Sequence, residues 1–248
     1  MKKICSFILL IMFLFNACND DENTEQKATV TIKFTHNWDG TPVTSSDFNA
    51  FKFTNANGEI VSIERLRYLV SNITLGTEIT KSYNLVNVGG NTNLEITSEN
   101  IPTGTHELNF IFGLKDVDNI DGVYLDLNSV SFNVPAMLGG GYHYMQFDGK
   151  YKDTNSQDAN FNYHTIKAVD RTDPTNLIFQ DTSFEVHLGA IEITDNTTIE
   201  IKMNIAEWFK NPNTWNLNEL NSVLMPNFEA QKMMSANGTA VFSLGEVN

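Results

Sequence analysis

Polar and apolar residues alternate along Thr29-Val30-Thr31-Ile32-Lys33-Phe34-Thr35-His36. A period of two predicts a β-strand with one face buried and the other in solvent. Similar runs separated by Gly, Asn and Pro predict further strands at residues 48–53, 67–75, 83–88, 106–113, 130–134, 142–151, 160–169, 183–190, 197–205 and 240–244. This series of short strands predicts an all-β fold, either an antiparallel β-sandwich or a barrel-like domain.

A helical pattern is confined to the C-terminal part of the chain. Residues 205–210 predict a short turn of helix that stops before Pro212. Asn227 is predicted to cap a second helix over residues 229–234, which ends near Asn237-Gly238. The all-β domain is therefore expected to contain a short helical segment near its C-terminus.

The N-terminus has the three parts of a signal peptide. A head with two lysines is followed by an apolar run over residues 4–15, and Ala17 directly precedes Cys18. The run is too short to span a bilayer as a helix. The segment resembles a bacterial lipobox, although Phe15-Asn16 departs from its usual Leu and small residue. We predict a lipoprotein signal peptide over residues 1–17, with lipidation of Cys18.

The residues after Cys18 are polar up to Lys27 and include an acidic cluster, so they contain no apolar side chain to bury in a core. They predict a flexible acidic tether over residues 18–27, followed by a single β domain over residues 28–248. An acidic cluster after the lipidated cysteine resembles the export signal of surface-displayed lipoproteins. We therefore expect lipid anchoring at the outer membrane, on either its periplasmic or its cell-surface face.

Charge and cysteine content restrict the partners of the chain. The formal net charge is −14, and a surface of that sign repels phosphate backbones, so nucleic acid is excluded as a partner. The same field concentrates cations. The two cysteines lie at positions 5 and 18, so no thiol remains in the predicted domain to form a disulfide.

Motifs for hydrolase or nucleotide chemistry are absent from the sequence. It contains no nucleophile elbow, no phosphate-binding glycine loop and no His-Glu-x-x-His helix. We therefore expect a protein that is not an enzyme.

Three of the five histidines, His36, His143 and His164, lie in aromatic-rich predicted strands. Imidazole is a good ligand for copper or zinc, and a β framework can bring ligands from separate strands together. If residues 142–151 form a strand, His143 and Met145 share one face. The alternative for each histidine is a hydrogen-bonded core or surface residue.

Several segments resemble the MbnP-like copper-binding family, named after periplasmic proteins found beside methanobactin genes. The similarity rests on residues 34–40, 64–73, 141–149, 162–164 and 240–244. It implies an exported β protein that binds copper through His36 and His164, with His143 as a third ligand. Copper-binding members have tryptophans before the Gly-Tyr pair. This chain has Met137-Leu138-Gly139-Gly140 there, so tryptophan oxidation at that site is excluded.

These observations predict a lipid-anchored, exported metal-binding protein that acts as a scavenger or carrier. Copper is the expected ion, and zinc is the alternative. An outer-membrane receptor or a redox partner would receive or deliver the ion. The competing hypothesis is a surface-exposed β-sandwich binding module without metal, which contacts glycan, peptide or a partner receptor.

Overall fold

A computed structural model describes residues 26–248, so the predicted signal peptide and Cys18 lie outside the described residues. The strands are β1 (Lys27–Trp38), β2 (Thr41–Pro42), β3 (Phe53–Thr54), β4 (Ile60–Leu75), β5 (Glu78–Asn87), β6 (Glu95–Pro102), β7 (Gly104–Phe112), β8 (Met145–Lys152), β9 (Asp158–Thr165), β10 (Ala168–Asp170), β11 (Ile178–Gln180), β12 (Phe184–Ile193), β13 (Thr197–Asn204) and β14 (Phe242–Val247). The α-helices are α1 (Leu125–Ser129) and α2 (Phe228–Gly238), and short 3-10 helices span Ser45–Asp47, Ala136–Leu138 and Ile205–Phe209. The predicted all-β class is confirmed.

Two sheets face each other in a sandwich-like arrangement. The first has the order β14-β13-β1-β2, with β6 also paired to β1. The second has the order β12-β7-β4-β8-β9, with β3 and β5 also paired to β4. Pairing is antiparallel except between β1 and β13, which run parallel from Val30 opposite Thr197 to Asn37 opposite Asn204.

Aromatic side chains fill the space between the sheets. Phe34 of β1 meets Tyr68 of β4 and Phe110 of β7 edge-on, at centroid distances of 6.3 and 6.5 Å. All three side chains are almost completely buried. Burying one such ring stabilises the fold by roughly 1.5–3 kcal/mol, so the alternation that begins at Thr29 builds the core directly.

The prediction of a strand at residues 130–134 is wrong. Phe132 and Val134 are buried, as their alternation suggests, but Asn133 makes only an isolated bridge to Tyr142. The preceding residues form α1, and Ser131 takes a left-handed φ of 57°, which interrupts an extended strand. The segment is therefore a loop that packs across the end of β8.

The helical segment near the C-terminus is confirmed. The Asn227 side chain accepts a hydrogen bond from the Ala230 amide at 3.0 Å, which caps the start of α2. The predicted turn at residues 205–210 is a 3-10 helix, with the Asn204 side chain bonded to the Ala206 amide. Within residues 26–248, no helix is both long and apolar enough to cross a bilayer.

Candidate metal centre

A polar cluster lies on the outer face of the second sheet. The register places Arg67, Gln146 and His164 side by side on β4, β8 and β9. Two residues further along, Asp148 stands beside Asn162. The intervening residues of β8 and β9 are buried, so these polar side chains point away from the core.

His164 is oriented by Asp148. The Nε2 atom of His164 lies 2.8 Å from Oδ1 of Asp148. Oδ1 also accepts a hydrogen bond from Asn162, and Oδ2 accepts one from Arg65. Burial opposes ionisation of this carboxyl group, but the hydrogen bonds outweigh burial and hold its pKa well below the ordinary value. The ionised carboxylate can only accept, so Nε2 of His164 donates, and Nδ1 is the nitrogen that the neutral ring would offer to a metal ion.

His143 is oriented by a backbone carbonyl in the loop after α1. Its Nδ1 atom lies 2.9 Å from the carbonyl oxygen of Phe132. A carbonyl only accepts, so Nδ1 carries the proton, and the Gln146 amide nitrogen at 3.4 Å makes no second hydrogen bond to it. The Nε2 atom of His143 is therefore unprotonated, and it is buried without a hydrogen-bond partner in the described part of the chain.

Burial also keeps the His143 ring neutral. The side chain belongs to a residue that is only 4% exposed, and desolvation lowers its pKa from 6.5 to about 4. The positive charges of Arg65 and Arg67 act in the same direction. Neutral imidazole is the form that binds a metal ion.

The two imidazole rings are neighbours. Their centroids are 5.2 Å apart and the ring planes are nearly perpendicular, at 83°. His164 Nδ1 has no hydrogen-bond partner within residues 26–248, and it is not one of the buried unpaired atoms there, so it retains contact with solvent. Each ring thus has one N–H fixed by an oxygen acceptor and one free nitrogen, which is how proteins usually prepare histidine ligands.

Gly141 helps to hold His143 in this position. Its φ is +73°, and a Cβ at this residue would lie 2.5 Å from the Asn119 side-chain oxygen. That oxygen accepts the Tyr142 amide at 2.8 Å, so the close approach of Gly141 fixes the backbone just before His143.

His36 is not part of this pair. Its Nε2 atom lies 3.0 Å from the hydroxyl group of Tyr68, inside the core. Tyr68 is aligned with Met145, whereas its neighbour Arg67 is aligned with Gln146 and His164 on the outer face. The structure therefore brings His143 and His164 together and separates His36 from them by the second sheet.

The expected alternation around His143 fails for a physical reason. The β8 ladder begins only at Met145, and Tyr144 instead bonds through its amide to the Thr165 carbonyl. Met145 is fully buried in the core, while His143 contacts outer-face residues. The two side chains consequently do not share a face.

The remaining histidines have ordinary partners. His106 Nε2 lies 2.7 Å from the Pro102 carbonyl, and His187 Nδ1 lies 2.7 Å from the Asn109 side chain. Across residues 26–248, no group of three or more His, Cys, Asp or Glu residues is arranged to hold a metal ion. The outer-face site thus offers two imidazoles. Sequence reasoning missed Asp148 and the Phe132 carbonyl, which orient them.

Comparison with known proteins identifies the family. The MbnP family model matches residues 27–226, which is most of the chain. The chain belongs to the MbnP family. Among solved structures, MbnP from Methylosinus trichosporium is similar, with 13% sequence identity, a TM-score of 0.45 and 79% of each chain covered. A comparison with curated proteins gives no match.

Proposed function

We propose that this MbnP family member is an exported copper-binding protein, and that His143 and His164 hold the ion. The main support is the buried, unpaired Nε2 atom of His143 beside a second imidazole with a free nitrogen. A buried polar atom without a partner costs about 1–3 kcal/mol, and coordination would remove that cost. Bound copper would be a cargo ion, so the proposal includes no catalytic step.

The local charges favour a singly charged ion. Arg65 and Arg67 both act on His143, and Asp148 supplies one negative charge nearby. Two neutral imidazoles add no negative charge to the first coordination shell. Zinc in proteins usually takes four ligands, or three and a water, so a two-histidine site suits it poorly. We therefore propose cuprous copper, with zinc as the weaker competitor.

The accessibility of the two nitrogens supports a carrier or scavenger role. His164 Nδ1 retains contact with solvent, whereas His143 Nε2 is enclosed. A donor or acceptor protein could reach the ion from the His164 side while His143 retained it. An outer-membrane receptor or redox partner would contact the ion from the His164 side. Exchange of ligands between the two proteins would then transfer the ion without unfolding of this domain.

Lipid anchoring is the second part of the proposal. Acylated Cys18 would fix the protein to the outer membrane, and β1 begins at Lys27, so a tether of a few residues would connect them. A Cys18→Ser variant should leave the protein soluble or uncleaved. Recovery of this variant in membranes at the wild-type level would contradict the anchor.

Copper titration of purified protein tests the metal site. Under reducing conditions, with a chromogenic chelator as competitor, wild type should bind one equivalent of copper. His143→Ala and His164→Ala should each weaken binding by at least tenfold. His187→Ala is the matched control, since its side chain is 66% exposed and lies on another strand.

His36→Ala distinguishes this pair from the ligand set that the family resemblance implies. Unchanged copper affinity in this variant supports the pair of His143 and His164. A loss equal to that of His164→Ala would mean that His36 is a ligand, and the proposed pair would be wrong.

A metal-free binding module is the second candidate function. One observation favours it, which is a cavity beside His36 of about 490 Å³. Wild-type protein that takes up no copper or zinc in the titration would favour this second candidate over the first.

A further inference from the structure

A cavity of about 490 Å³ opens at the edge of β1. β6 pairs with β1 only as far as Lys33, and β2 begins to pair with it at Asn37. Between these two strands the edge of β1 is bounded by Leu94 and Val43, whose backbones bond to Phe34 and His36. The cavity occupies this interruption of the first sheet, on a different sheet from the His143 and His164 pair.

The inner wall of the cavity is mainly apolar. Phe34, Val43 and Val88 are buried, Leu94 is half-buried, and His36 is the buried polar residue among them. The volume lies within the range of about 300–1,000 Å³ that is typical of small-molecule sites, which are mostly apolar with a few placed polar groups.

The mouth of the cavity has balanced charges. Lys33 Nζ lies 3.8 Å from Oε1 of Glu95, and Lys202 Nζ lies 3.3 Å from Oε2 of Glu200. Glu200 also accepts a hydrogen bond from Thr35 at 2.8 Å. Each cation therefore has its own carboxylate, and the mouth does not select a charged ligand.

The hydrogen bonds of His36 determine what it presents to the cavity. The Tyr68 hydroxyl group is buried, and its hydrogen-bond partner is His36 Nε2 at 3.0 Å. The hydroxyl proton needs an acceptor, so it points to Nε2 and the His36 proton resides on Nδ1. Nδ1 has no partner within residues 26–248, and it is not one of the buried unpaired atoms there, so it reaches solvent. His36 lines the cavity, which opens to solvent beside this residue.

We propose that this cavity binds a neutral, mainly apolar small molecule with one hydrogen-bond acceptor, such as an aromatic ketone, and that His36 Nδ1–H donates to that acceptor. The apolar wall receives the body of the ligand, while the paired charges at the mouth leave a neutral molecule free to enter. The site is independent of copper, since His36 and the outer-face histidines lie on opposite faces of the second sheet.

Two probes of the same shape test the hydrogen bond. In metal-free protein, 2-acetylnaphthalene has the acceptor and 2-ethylnaphthalene lacks it. The ketone should bind about five- to tenfold more tightly to wild type, as one hydrogen bond predicts. Backbone amide resonances of residues 33–37 should shift during titration. Equal affinities, shifts confined to other regions, or no binding of the ketone at about 1 mM would overturn the proposal.

Variants locate the probes in the cavity. His36→Phe should abolish the preference for the ketone and retain binding of the hydrocarbon. Ser45→Trp, at an exposed lining residue, should weaken both probes by at least tenfold. Ser46→Trp is the control, because its exposed neighbour position does not line the cavity. A Ser45→Trp variant that binds both probes like wild type would overturn the assignment. If His36→Phe does not fold, the two probes on wild type still decide.

Discussion

His36 and His143 occupy opposite sides of the second sheet, yet they resemble each other in burial. Their exposed fractions are 6% and 4%, and desolvation lowers both pKa values from 6.5 to about 4. They differ in the partner of Nε2, which is the Tyr68 hydroxyl for His36 and absent from the described residues for His143. The partners of Nε2 therefore distinguish a histidine whose Nε2 is used by the fold from one whose Nε2 is available to a metal ion, whereas burial and the lowered pKa do not.

The largest loss of stability is expected from His36→Ala. The substitution removes a buried ring and leaves the Tyr68 hydroxyl without its acceptor. We expect the free energy of unfolding to fall by about 3 kcal/mol, from the cavity and the unpaired hydroxyl together. Urea denaturation followed by tryptophan fluorescence measures this change.

The matched variant on the other side is His164→Ala. Its side chain is 12% exposed, and Asp148 retains Arg65 and Asn162 as partners when the imidazole is removed. The loss of stability should be about 1 kcal/mol. Equal losses in the two variants would contradict the distinction between the core histidine His36 and the proposed metal ligand His164.

The next effect is the pH dependence of stability that His36 causes. Above pH 6.5 the folded and unfolded states both hold it neutral, so its contribution is constant. As the pH falls from 6.5 towards 4, only the unfolded state binds the extra proton, and stability decreases. We expect about 2 kcal/mol to be lost between pH 7 and pH 5.

Comparison with His36→Gln isolates this contribution. Glutamine does not titrate, and carboxyl groups and His143 contribute to both proteins alike. Urea denaturation of metal-free protein at pH 7 and pH 5 should give a loss about 2 kcal/mol smaller in the variant than in wild type. The same loss in both proteins would mean that His36 titrates normally in the folded state.

A smaller effect is expected from Tyr68→Phe. The ring remains in the core, but His36 Nε2 loses its hydrogen bond, so unfolding should become easier by about 1.5 kcal/mol. In a double-mutant cycle with His36→Phe, a coupling energy near 1 kcal/mol should appear. Additive losses would show that the hydrogen bond contributes nothing.

The sequence allowed much of the fold to be predicted, since alternation reports directly on burial. The prediction over residues 29–36 falls within β1, and that over residues 197–205 corresponds to β13. Alternation over residues 130–134 also reported burial correctly, but it cannot reveal that Ser131 turns out of extended geometry. The parallel pairing of β1 with β13 could not be predicted from the sequence either, because the choice of partner strand depends on contacts between distant segments.

The candidate site was less accessible to sequence reasoning. The family resemblance named His36, His143 and His164, but it could not say which of them meet. That depends on the register of Gln146 opposite His164, and on the Phe132 carbonyl that fixes His143. Asp148 had one available signal, since it lies two residues from Gln146 on a predicted strand and must share its face.

The most selective change is Asp148→Asn, which alters only the residue that orients His164. Asparagine has nearly the same shape, and its side-chain oxygen can still accept the hydrogen of His164 Nε2. The charge is lost, so the imidazole becomes a weaker donor to copper and Arg65 loses its ion pair. Copper affinity should fall about tenfold, or about 1.4 kcal/mol, in competition with a chromogenic chelator.

Asp158→Asn is the matched control for this last prediction, because it removes the same charge from an exposed ion pair with Lys152 at the far end of the same two strands. Its copper affinity should equal that of wild type. Equal weakening in both variants would mean that long-range charge, and not the contact with His164, sets the affinity. Unchanged copper affinity in Asp148→Asn would mean that His164 needs no ionised partner. The proposal that the Asp148 carboxylate strengthens His164 as a copper ligand would then be wrong. His36 provides the contrast, since its fixed nitrogen faces a neutral hydroxyl and no carboxylate strengthens it.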